Sequence, residues 1–106
     1  FILPAAKVIP KKLWSKRKTV GIRVPNHSVT LQLVKELGNP IASTSTTTRI
    51  GEPLTDPFEI KNIFNARVDL MLASNTMSFE PSSVVDLSGD EPEIIREGAG
   101  DISLFK

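Results

Sequence analysis

Short strand-like segments alternating with two helical stretches predict an α/β domain for this chain. Val29, Leu33 and Leu37 recur at four-residue intervals, with Leu31 and Val34 widening the apolar stripe of one helix. Asp56-Pro57-Phe58-Glu59 opens a second helix, with an acid as N-cap, proline at the first helical position and glutamate three residues after the cap. Around these lie short apolar, β-branched runs, among them Val84 to Leu87 and Glu93 to Arg96, which predict strands.

Phe1-Ile2-Leu3 predicts a short strand stopped by Pro4. Residues 5–18 are basic and proline-punctuated, without helical or alternating apolar period, which predicts a surface connection. Trp14 within it is either an anchor against the core or a platform on which a base could stack. Thr19 to Val24 predicts a strand ended by Pro25. Arg23 would then sit mid-strand, where a charge needs either a partner or a polar cavity. Ser28 is the expected cap of the first helix, and Gly38 followed by Pro40 its stop. Ile41 to Thr44 predicts a strand buried on both faces, and Val68 to Ala73 another strand. Ser74 to Pro81 is expected to be a polar, mobile connection.

With 106 residues the chain is one domain at most, and 40% hydrophobic with 24% charged residues is a globular composition. No apolar run approaches the ~20 residues of a membrane span, and no signal-peptide pattern is present. The absence of cysteine excludes disulfides and thiolate metal sites and fits the cytoplasm. His27, the single histidine, removes any two-histidine zinc site. It sits beside a proline turn and not in a nucleophile-elbow context, which argues against serine–histidine–acid catalysis. Net charge is +1, yet residues 1–35 carry eight Lys/Arg and no acid, while residues 36–106 carry five basic and twelve acidic side chains. Such a split fits a polyanionic partner, or two halves lying against each other. Asp86, Asp90, Glu91 and Glu93 lack the glycine and terminal glutamate of a calcium loop, so a solvated turn is expected there.

Ser43 to Thr48 is a run of six hydroxyl residues directly after Pro40-Ile41-Ala42. Hydroxyls donate and accept at little steric cost, which suits a loop folded around phosphate or carboxylate oxygens, although an ordinary Ser/Thr-rich turn has the same composition. The run follows Lys18-Thr19-Val20-Gly21-Ile22-Arg23-Val24-Pro25-Asn26-His27 and the helix ending Glu36-Leu37-Gly38-Asn39-Pro40. Further on come Pro81-Ser82-Ser83-Val84-Val85-Asp86-Leu87 and Ile94-Ile95-Arg96-Glu97-Gly98. In that order and at those intervals the four blocks resemble the YrdC/YciO family, whose better-known members make threonylcarbamoyl-adenylate for tRNA modification. The resemblance implies a twisted, open mixed sheet with flanking helices and a concave basic cavity. It corresponds to about the C-terminal half of the family domain, so residues 1–106 are expected to be part of a single domain. With an opening that lacks Met, a fragment is expected, without the family's Lys-x-Arg phosphate-binding motif and without synthase activity of its own.

The resemblance further implies a cavity for ATP with Mg2+, L-threonine and bicarbonate. Threonine's amine takes up bicarbonate, and the resulting carbamate attacks the α-phosphate and expels pyrophosphate. A site for such anions needs fixed cations, hydroxyl donors and a nucleotide-borne magnesium more than an acid–base pair. Ser43 and Ser45 match the family's Ser-Thr-Ser block, Ser82 its Pro-Ser block and Arg96 the arginine after the last strand. With Arg23 they are the expected nucleotide and threonine contacts, and no catalytic residue or protein metal site is singled out. On its residues alone, Arg96 better fits a surface ion pair with Glu97 or Asp101. Adenylate-forming members continue with alanine and asparagine where this chain has Thr46 and Thr47, as in the YciO branch. A hydroxyl cannot supply an amide's donors on a longer arm, which argues against efficient adenylate synthesis but not against ligand binding. The alternative is a non-catalytic module that recognises double-stranded RNA or tRNA through Lys11, Lys12, Lys16, Arg17 and Lys18.

Overall fold

The structure, a computed structural model, describes residues 1–74 and 80–106. It divides into two compact units, one of Phe1–Leu31 with Glu80–Lys106 and one of Gln32–Phe79.

The first unit is built on a four-stranded mixed sheet of β1 (Ile2–Pro4), β2 (Thr19–Gly21), β3 (Val84–Asp86) and β4 (Glu93–Arg96), in the order β2-β1-β3-β4. β1 runs antiparallel to β2 and parallel to β3, and β4 runs antiparallel to β3 with a register shift between Val84 and Val85. Val85 and Ile102 are its buried apolar residues, 3% and 4% exposed. Burying each such side chain contributes about 1.5–3 kcal/mol. The Phe105 ring meets the edge of Phe1 at 5.9 Å between centroids.

β2 stops at Gly21 and does not run on to Val24. Ile22 still exchanges backbone bonds with Phe1, but Arg23 and Val24 find no ladder partner among the described residues. Arg23 is therefore exposed beyond the strand and not set within it. The connection between β1 and β2 contains a short 3-10 helix, Lys11–Leu13. Trp14 follows it, half-buried, with its indole N–H donating to the Ile9 carbonyl of the same connection at 2.9 Å.

The boundary between the units falls within α1 (Ser28–Leu37). The residue that caps α1 is His27 and not Ser28: its Nδ1 accepts from the Thr30 backbone N–H at 3.3 Å. Gly38 stops the helix as expected, at φ +76 and with its N–H on the Val34 carbonyl. In the second unit α2 (Pro57–Phe64) starts as the sequence dictates, with Asp56 Oδ1 accepting from the Phe58 N–H at 3.0 Å. Neither Ile41 to Thr44 nor Val68 to Ala73 forms a strand, and Ile41 to Thr44 is exposed throughout. An apolar run becomes a strand only when a neighbour completes its ladder, and neither stretch has one among the described residues. The hydroxyl run leads instead into a small hairpin, where Thr47 bridges to Pro53 and the Leu54 N–H donates to the Thr46 carbonyl. Leu54 is the buried apolar residue of this unit. Residues 75–79, most of the connection expected to be mobile, lie outside the described residues.

Candidate functional site

β3 and β4 bring two of the predicted site residues together. Pro81-Ser82-Ser83 enters β3 while Arg96 ends β4, and Val84 pairs with Arg96 across the antiparallel ladder. Arg96 Nε donates to the Ser82 carbonyl at 2.9 Å. The chain after Arg96 folds back on the same segment. Ala99 N–H donates to the Pro81 carbonyl at 3.0 Å, and Ser83 Oγ accepts from the Gly98 N–H at 2.9 Å while donating to the Gly100 carbonyl at 2.6 Å. Gly98 makes this approach possible: a Cβ there would overlap the Pro81 carbonyl oxygen and stand 2.9 Å from the Ser82 carbonyl carbon.

These bonds occupy backbone groups and the Ser83 hydroxyl. Among the described residues the Ser82 hydroxyl and the two terminal nitrogens of Arg96 have no hydrogen-bond partner. The carboxylates that could have quenched Arg96 are engaged elsewhere, Glu97 with Lys106 Nζ at 3.3 Å and Asp101 with the Ser103 N–H at 2.9 Å. The Ser103 backbone N–H, then its hydroxyl, hold the Asp101 carboxyl below its ordinary value. A guanidinium fixed through Nε, with its terminal nitrogens unpaired, is suited to receive an anionic group.

Ser43 and Ser45 lie in the second unit, exposed, in the irregular stretch before the hairpin, with no hydrogen bond among the described residues. Arg23 lies beyond β2 and is likewise unpaired among the described residues. Lys11 and Lys12 are exposed on the 3-10 helix, and Lys16, Arg17 and Lys18 on the loop before β2, where Lys18 takes φ +59. Arg17 is not free: its Nη1 lies 3.4 Å from Asp86 Oδ2. Asp86, expected in a solvated turn, is buried at the end of β3 with its side chain 4% exposed. The Ser88 hydroxyl and N–H donate to Asp86 Oδ1 at 2.6 and 2.8 Å. Those bonds, hydroxyl first, and more weakly Arg17 hold the carboxyl below its ordinary value against the opposing effect of burial. Among the described residues no group of three or more His, Cys, Asp or Glu could hold a metal ion, and no helix is long and apolar enough to cross a membrane.

Ser83 and Gly98, which hold the segment of Ser82 in place, do not declare that role in the sequence. The glycines flanking Ala99 were a signal of close backbone approach, but nothing local said what they approach.

An open mixed sheet of four strands with two helices in the chain defines an α/β protein, with Ser82 and Arg96 brought together at its strand ends. The chain belongs to the Sua5/YciO/YrdC domain family, described as "Telomere recombination", which matches residues 1–98. It is 43% identical to an uncharacterized protein of Haemophilus influenzae, over 99% of this chain and 52% of that protein. It is 33% identical to a threonylcarbamoyl-AMP synthase of Pseudoalteromonas translucida, over 81% of this chain and 46% of the relative. The crystal structure of Escherichia coli YciO superposes with a TM-score of 0.86 at 39% identity, covering all of this chain and 52% of that one. The chain thus spans about half the length of these relatives.

Proposed function

We propose that this chain is the C-terminal part of a single YrdC/YciO-like domain that binds ATP with Mg2+ and L-threonine, with bicarbonate as third substrate. The whole protein would make threonylcarbamoyl-adenylate, feeding threonylcarbamoyladenosine formation in tRNA. The observation that carries this is the Ser82–Arg96 clamp, a fixed guanidinium and a free hydroxyl at one place on the sheet. Phosphoryl oxygens are the ligand atoms that such a pair holds best. Names of relatives at 26–33% identity give the reaction class its support. Thr47 in the asparagine position argues for slow turnover, and this half of the domain by itself for none.

Incubating the intact protein with ATP, threonine and bicarbonate should release pyrophosphate only when threonine is present. Threonine-independent release, or no release, removes the synthase assignment. A calorimetric titration of ATP and threonine should show weaker binding for Ser45→Ala and Arg96→Ala.

The basic face supports a second function, recognition of double-stranded RNA or tRNA. Lys11, Lys12, Lys16 and Lys18 are exposed and form no ion pair among the described residues, whereas Arg17 shares its charge with Asp86. Binding through these side chains would weaken steeply with salt as counterions are released, and a flat salt response would exclude it.

A further inference from the structure

Within the first unit, one ion pair ties the basic connection between β1 and β2 to the end of β3. Both terminal nitrogens of Arg17 face that end: Nη1 lies 3.4 Å from Asp86 Oδ2, and Nη2 donates to Ser88 Oγ at 3.5 Å. Although the Arg17 side chain is 71% exposed, its fork is turned to the sheet. Asp86 has the greater need of the pair. Its Oδ1 takes both Ser88 bonds, whereas Oδ2 is buried with no hydrogen bond among the described residues. Arg17 is the one cation among those residues within ion-pair distance of it. A buried carboxylate oxygen without a counter-charge is costly, so the guanidinium is held where Asp86 requires it. The backbone beneath Arg17 is fixed as well. Ser15 Oγ accepts from the Arg17 and Thr19 N–H groups, each at 3.2 Å, and the Lys18 N–H donates to the Ser15 carbonyl at 3.0 Å. Lys18 takes its positive φ, +59, in closing this turn. Lys16 and Lys18, on either side of Arg17, stay exposed and form no ion pair among the described residues.

We infer that Asp86 is an internal stand-in for phosphate, an autoinhibitory contact that withholds Arg17 from a polyanion and leaves Lys16 and Lys18 to meet it. The inference rests on the second function proposed above, recognition of double-stranded RNA. To engage an RNA phosphate, Arg17 would have to leave Asp86 Oδ2 buried without a counter-charge, which offsets much of what the new contact contributes. The basic turn therefore reaches one phosphate fewer than its sequence suggests.

The test is the salt dependence of binding between the intact protein and a double-stranded RNA, for wild type, Lys16→Gln, Arg17→Gln, Asp86→Asn and the double variant Arg17→Gln/Asp86→Asn. The slope of log affinity against log salt reports the phosphates contacted, about one unit for each. Lys16→Gln should lose about one unit, and Arg17→Gln clearly less. Asp86→Asn should gain about one unit by freeing Arg17, and the double variant should return to the wild-type slope. Equal losses in Lys16→Gln and Arg17→Gln overturn the inference, as does an Asp86→Asn slope no steeper than wild type. Should Asp86→Asn fail to fold, the comparison of Lys16→Gln with Arg17→Gln, both on an exposed loop, decides alone. A flat wild-type slope removes RNA recognition and the inference with it. A steep wild-type slope with equal losses leaves recognition standing and removes only the withheld arginine.

Discussion

Gly98 sets the geometry of the clamp. A methyl group there would meet backbone of residues 81–83, which cannot swing aside as a side chain can. Gly98→Ala should cost about 1–3 kcal/mol in urea unfolding, the range for overpacking, and should weaken ATP binding because Ser82 moves with its segment. Ser83→Ala leaves the Gly98 N–H and the Gly100 carbonyl without their shared partner. It should cost about 1 kcal/mol without altering a ligand contact directly. Asp86 contributes stability with a defined pH sign. Its folded pKa is depressed, so its stabilisation is complete above the unfolded value of about 4 and is lost as pH falls through the folded one. Asp86→Asn should therefore give a shallower loss of stability below about pH 4, read by denaturant midpoints across the acid range. Ser82 and Arg96 were legible in the sequence because each stands in a recognisable block. Ser83, Gly98 and the Arg17–Asp86 pair were not, because each depends on a partner that only the closed sheet brings near.

Among the elements, those whose start or stop is written locally were legible. Asp56-Pro57 begins α2 and Gly38 ends α1, each through the next residue or two of backbone. Gly38→Ala meets no neighbour within 4 Å, so its cost is conformational alone, about 1 kcal/mol, measurable as a lowered denaturation midpoint with unchanged ligand binding. Strands were harder to read. β4 was predicted at its observed bounds, whereas Ile41 to Thr44 has strand-like residues but no ladder. Strand identity depends on the neighbour as much as on the residues. The hydroxyl run illustrates the same limit: its first part stays irregular, while its last three threonines enter a hairpin because Gly51 turns the chain back.

On the scale of the whole molecule, many large apolar side chains stand exposed. Neither helix buries a residue fully, and Leu31, Leu33, Leu37 and Phe58 all stand out in solvent. Residues 1–106 by themselves should self-associate with rising concentration, which sedimentation velocity reads directly; a single non-associating species would contradict this. The amphipathic stripe of α1 announced an apolar face, but a stripe does not say whether its partner is in the same chain. The parallel join of β1 to β3 ties Ile2 to Asp86. During translation β1 can pair with β2 through nearby sequence, whereas its join to β3 waits until residue 86 leaves the ribosome. For that interval the β3-facing edge of β1 lacks its native partner, and such an edge invites a chaperone or a neighbouring nascent chain.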